Sequence, residues 1–118
     1  MNTKDYDVLA AGLLATAQDI EVGKRPAYTI GNPDVLTNFK AVAARTGLTP
    51  GQVLSVYMLK HIDAVTSALC RPDLPQAESI ESRFADAVNY LKLGYALVSE
   101  RPEGDSTPGR SPVAAPPP

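Results

Sequence analysis

Residues 80–97 read IESRFADAVNYLKLGYAL, and their periodicity decides the fold class. Ile80, Phe84, Ala87, Val88, Leu91 and Tyr95, continued by Val98, recur at helical spacing and form one apolar stripe expected to be buried. The opposite side is unusual. Asp86, Tyr90, Leu93 and Leu97 form a second stripe there, with Arg83 at its edge. A helix that faced water on that side would be uniformly polar. The stretch therefore predicts a long helix with two occupied faces, the second one set with charges.

Upstream, the chain offers three more helices. The first covers about 4–22, with Tyr6, Leu9, Leu13, Thr16, Ala17 and Ile20 on one face, and Gly23 and Pro26 are expected to end it. Asn32-Pro33-Asp34 is a helix start signal, with Asn as cap, Pro in the first turn and an acid at the positive dipole end. The second helix runs from there to about Thr46, buries Val35, Phe39 and Val42, and stops at Gly47. Thr49-Pro50-Gly51-Gln52 opens the third as a capping box. That helix continues to about Cys70, where Arg71-Pro72 breaks it; the fourth lies between Pro75 and Pro102. No stretch alternates as a strand would. The expectation is an all-α, four-helix bundle-like domain over residues 1–100.

Residues 101–118, RPEGDSTPGRSPVAAPPP, hold six of the eleven prolines and no aromatic residue, so they read as a disordered tail. The composition elsewhere is globular, with 44% hydrophobic and 20% charged residues. A formal charge of -2 gives no basic footprint for nucleic acid. The single cysteine, Cys70, excludes an internal disulfide and points to a reducing cytoplasm. The N-terminal stretch has early acidic residues and an interrupted apolar run, unlike a signal peptide, and no segment reads as the ~20 apolar residues of a membrane span.

The third helix repeats the two-faced pattern. Leu54, Tyr57, Met58, Ile62, Ala64, Val65, Ala68 and Leu69 form its main face, and Lys60, Asp63 and Ser67 lie opposite among Val56 and Leu59. A domain of this size has too little interior to surround two such helices. A homo-oligomer is expected, its interface using the second faces. The charges there come as Lys60/Asp63 and Arg83/Asp86, each spaced i, i+3 and so pointing one way, with Asn89 beside them. Two readings stand: mutual neutralisation, or a pocket in which Lys60 and Arg83 meet phosphate and Asn89 reads a base or sugar. Asp63 and Asp86 are the candidate ligands for Mg²⁺, although each has a cation three residues before it. His61, between Met58 and Val65, reads as a hydrogen-bonded core residue, and zinc has no ligand set. The loop around Lys24, Arg25 and Tyr28 could hold an anion at a helix start near Asn32, with Tyr28 stacking on a base. Ala43, Gly47 and Val53 also have helix-turn-helix spacing, but the helix that follows shows Val56 and Leu59 where base-reading side chains belong.

The order YTIGNPDVLTNF (28–39), VYMLKHIDAV (56–65) and ESIESRFADAVNYLKLGYAL (78–97) resembles small helical phage and prophage proteins associated with nucleotide modification. More distantly it is similar to the MazG-like all-α nucleotide pyrophosphohydrolases. ADAVNYLKL resembles the second metal-binding helix of those enzymes. By that resemblance Asp86 is the aspartate closing an ExxD whose first acid is Arg83 here. Lys60 and Asp63 fall near the earlier ExxE, with lysine replacing a carboxylate. The resemblance implies a nucleotide-binding bundle, with hydrolysis in doubt where cations replace metal ligands. The alternatives are a non-catalytic protein that sequesters a defence-signalling nucleotide and a helix-turn-helix DNA-binding regulator.

Overall fold

The computed structural model describes residues 1–29, 31–75 and 78–100, apart from the Tyr28 side chain, and builds them as four helices: α1 Thr3–Thr29, α2 Thr37–Thr46, α3 Pro50–Cys70 and α4 Ile80–Ser99. The expected tail at 101–118 and the stacking role of Tyr28 lie outside the described residues. α4 packs on both α1 and α3, and α2 packs on α3. The chain is thus an all-α bundle, as its periodicity predicts.

Two helix ends follow the sequence closely. Gly47 takes a left-handed φ of 78° and donates its N–H to the Ala43 carbonyl, closing α2 where a Cβ would strain the backbone. Thr49 then caps α3 through both arms of the box. Its hydroxyl accepts from the Gln52 N–H at 3.1 Å, and the Gln52 side chain accepts from the Thr49 N–H at 2.9 Å. Thr49→Ala should cost about 1 kcal/mol and lower the melting temperature by roughly 4–8 °C, read by circular dichroism.

Two boundaries differ from the sequence reading. α1 runs on through Gly23 and Pro26 to Thr29. Glu21 accepts from Lys92 of α4 at 2.5 Å and pairs with Arg25 one turn on, while Lys24 reaches Asp86. These ties hold the turn that Pro26 would otherwise release. Burial pushes the Glu21 carboxyl up, but Lys92 and Arg25 more than offset this and leave it below its usual range. α2 begins at Thr37, not near Asn32. The Asn32 side chain accepts from the Asp34 N–H and the Asp34 carboxylate from the Leu36 N–H, so both side chains close turns instead of starting a helix. α4 starts after Ser79, whose hydroxyl accepts from the Ser82 N–H.

The larger correction concerns helix faces. The buried residues of α4 are Ala85, Ala87, Asn89 and Leu93, with Tyr90 and Leu97 packed beside the core. Most of its heavier stripe is outside: Leu91 and Tyr95 are 57% and 67% exposed, and Ile80 and Val98 are exposed as well, while Ala87 of that stripe is buried and Phe84 and Val88 are half-buried. The stripe carrying Asp86, Tyr90, Leu93 and Leu97 is therefore the inner one, and the subunit contact expected on it has no surface to use. In α3, Leu54 and Ala68 of the expected main face are buried, as is Val53 beside them, but Ile62 and Leu69 of that face are exposed, like Val56, Leu59, Lys60 and Asp63. The core gathers Leu36, just before α2, and Phe39 and Ala43 of α2 with Val53, Leu54 and Leu93. By length and composition alone α3 is long and apolar enough to cross a membrane, contrary to the sequence reading. Lys60 and Asp63 near its middle would each oppose that by about 2.5–3.5 kcal/mol.

Candidate functional site

Lys24 of α1, Lys60, His61, Asp63 and Ala64 of α3, Glu78, and Arg83 and Asp86 of α4 line one cavity of about 500 Å³. The i, i+3 spacing puts Lys60 and Asp63 on one side of α3, and the same spacing turns Arg83 and Asp86 toward it from α4. Four of the residues expected from sequence thus share a wall. Their pairing is not the expected one. Among the described residues no ion pair joins Lys60 to Asp63 or Arg83 to Asp86. Asp86 is flanked instead by Lys24, at 3.6 Å from one carboxylate oxygen, and by His61 Nδ1, at 3.9 Å from the other. The Nε of Arg83 is shut off from solvent and has no hydrogen-bond partner among the described residues.

His61 is half-buried, and its ring stacks on Tyr90 at 4.4 Å between centroids with a 30° interplanar angle. Burial lowers its pKa below the usual 6.5, and Lys60 and Lys24 add to this, against the opposing pull of Asp86. The imidazole is therefore neutral at pH 7, and 3.9 Å to Asp86 is too long for a hydrogen bond. The sign follows from linkage. A base whose folded pKa is lowered contributes stability fully above its unfolded value and loses it as pH falls through the folded one. The melting temperature should therefore drop below pH 6.5 in the parent and drop less in His61→Gln, when both are followed across pH 7.5 to 4.5.

A second cavity, of about 360 Å³, lies next to the first and shares Lys60 and His61 with it. Its other walls are Val56, Tyr57 and Tyr90. The two together offer a charged chamber joined to an aromatic one.

The remaining candidates separate. Asn89 is buried, its Nδ2 donates to the Ala17 carbonyl of α1 at 2.9 Å, and it does not line either cavity; its work is to hold α1 on α4. Asp63 and Asp86 share the charged cavity, but among the described residues no group of three His, Cys, Asp or Glu side chains gathers as a metal site would need. The anion cradle expected at the loop after α1 lacks its parts, because Arg25 is paired with Glu21 and no helix begins at Asn32. For base reading, α3 would offer Gln52 and Ser55; the first is held in the capping box and the second donates to the Gly51 carbonyl. Lys24, read from sequence as part of the loop, and His61, read as a core residue, are wall residues here, together with Glu78 and Ala64. Continuing α1 past Gly23 would have brought Lys24 into register with α4, since it lies one turn beyond Glu21.

Comparison with protein-family models, curated proteins and solved structures gives no match.

Proposed function

We propose that the joined cavities between α1, α3 and α4 bind a nucleotide, its phosphate end on Lys60 and Arg83 and its ring in the chamber of Tyr57 and Tyr90. The observation that carries this reading is the convergence of cations from three helices on one cavity, with neither Lys60 nor Arg83 in an ion pair among the described residues. A buried charged donor left without an acceptor costs on the order of 1–3 kcal/mol, so a ligand oxygen that Arg83 could reach gains more there than at an exposed lysine. The neighbouring aromatic walls suit a flat ring. The same wall holds Asp63, Glu78 and Asp86, which disfavours a densely charged polyphosphate and favours one or two phosphates on a sugar and base.

The reading is of a binding protein, one that sequesters its ligand, because Asp86 is already flanked by Lys24 and the carboxylates of the wall do not gather into a group of three that could hold a metal among the described residues. It agrees with the resemblance to MazG-like and phage proteins, in which cations at positions 60 and 83 stand where metal ligands would be. Melting the full chain against mono-, di- and triphosphates and cyclic dinucleotides, with and without Mg²⁺, tests it. A ligand at 100 times its Kd should add roughly 2.7 kcal/mol, a shift of several degrees. Lys60→Ala, at an exposed position, should weaken binding by about 10-fold or more. No shift with any nucleotide, or full binding by both Lys60→Ala and Arg83→Gln, would remove the proposal. A shift found only with Mg²⁺ and accompanied by product would replace sequestration with hydrolysis.

A further inference from the structure

The outer stripe of α4 is independent of the ligand cavities. Ile80, Leu91, Tyr95 and Val98 are exposed along about five turns of one helix side. The first three turns of α1 flank its start, and together they form an apolar cavity of about 420 Å³ in which Tyr6, Leu9 and Leu13 face Ile80 and Phe84. On the other flank, Met58 of α3 meets Gly94, so Ile62 and Leu69, farther along the same row of α3, continue the face. At their exposures the large side chains of this face present on the order of 900 Å². Monomeric proteins rarely expose patches above roughly 300–600 Å², and a stable interface needs about 800 Å² per partner.

We infer that this face docks a second copy of the chain, as an isologous dimer built on the outer stripe of α4 and the first turns of α1. An isologous contact needs a surface that fits itself, and a face apolar through its centre, with its charges at the edge, does so. The charges nearest the stripe are already occupied: Glu81 accepts from Thr16, and Lys92 is held by Glu21 and Gln18. A charged partner would find no charge along the α4 stripe itself to read. A lipid surface would want Lys and Arg along the rim, whereas the exposed rim on α1 carries Asp5 and Asp7 with only Lys4. Residues 101–118 contain one valine and two alanines as their nonproline apolar residues, too little to cover it.

Light scattering on the full chain after size exclusion should give twice the 12.5 kDa protomer mass at micromolar concentration. Leu91→Glu and Tyr95→Glu should each raise the dimer dissociation constant by about 100-fold, because a charge is then buried without a partner. Both positions are exposed in the protomer, so the helical melting transition should survive. Val22→Glu, exposed about half a turn around α1 from Tyr6 and Leu13, should leave the dimer intact. Three results overturn the inference: a monomer at every concentration, a dimer indifferent to both charged variants, or a monomer that instead sediments with anionic vesicles.

Discussion

Phe39→Ala is expected to cost about 3–5 kcal/mol of unfolding free energy, and with it more than roughly 15 °C of melting temperature. Among the described residues Phe39 is the one large side chain fully enclosed, at 1% exposure. It stands edge-on to two rings, Tyr57 at 5.7 Å and Tyr90 at 6.1 Å, and so joins α2 to both long helices. Truncation would leave a hole walled by rigid aromatic rings that cannot swing in to fill it. Total stabilities of small domains are about 5–15 kcal/mol, so the variant would sit near unfolding. Phe84→Ala supplies the contrast. Phe84 lines the outer groove and is only half-buried, and its loss should cost about a third as much. Urea titration of both variants measures the difference. Equal losses would show that the core lies elsewhere.

Asn89→Asp should destabilise the chain by about 2–4 kcal/mol at pH 7, with the loss shrinking in acid. The substitution keeps shape and exchanges the NH₂ that faces the Ala17 carbonyl at 2.9 Å for an oxygen. Two acceptors would then meet in a site 6% exposed, with Lys92 at 3.5 Å from the other side-chain atom as partial compensation. The new carboxyl would have its folded pKa raised, because its protonated form alone can donate to Ala17. Stability would then be recovered below the unfolded carboxyl pKa of about 3.9 and lost as pH rises through the folded one. Melting curves from pH 3 to 7 follow this. A flat difference from the parent would mean that Asn89 does not hold α1 in place.

The caps were legible because they depend on few residues: Gly47 needs its own φ, and Thr49 with Gln52 needs only their spacing. The faces of α4 were not. Periodicity ranks stripes by apolar bulk, and the bulkier stripe, with Ile80, Leu91, Tyr95 and Val98, is the exposed one. What marks the inner side is smallness: Ala85 and Ala87 are buried, and a Cβ added at Gly94 would already touch Leu54 and Met58 at 3.5 Å. Close approach of helices depends on the neighbour's shape, which one helix does not encode. The candidate cavity was half legible for the same reason. Lys60, Asp63, Arg83 and Asp86 could be grouped by spacing, but the partner of Asp86 sits on a helix that Pro26 was expected to end. Local propensity argued for a stop there, and contacts with α4 from Glu21 and Lys24 overrode it.

The docking of the first helix on the last sets an order on the making of the protein. α1 leaves the ribosome first, yet its anchors are Asn89 and Lys92, about seventy residues downstream. The α2–α3 hairpin, with its capped turn and near neighbours in sequence, can form while α4 is still in the tunnel. For that interval α1 is a helix without its seat, carrying Leu13, Ala17 and Ile20 into water. A newborn chain stalled before residue 89 would therefore present α1 to chaperones, and translation past Lys92 is the event that withdraws it.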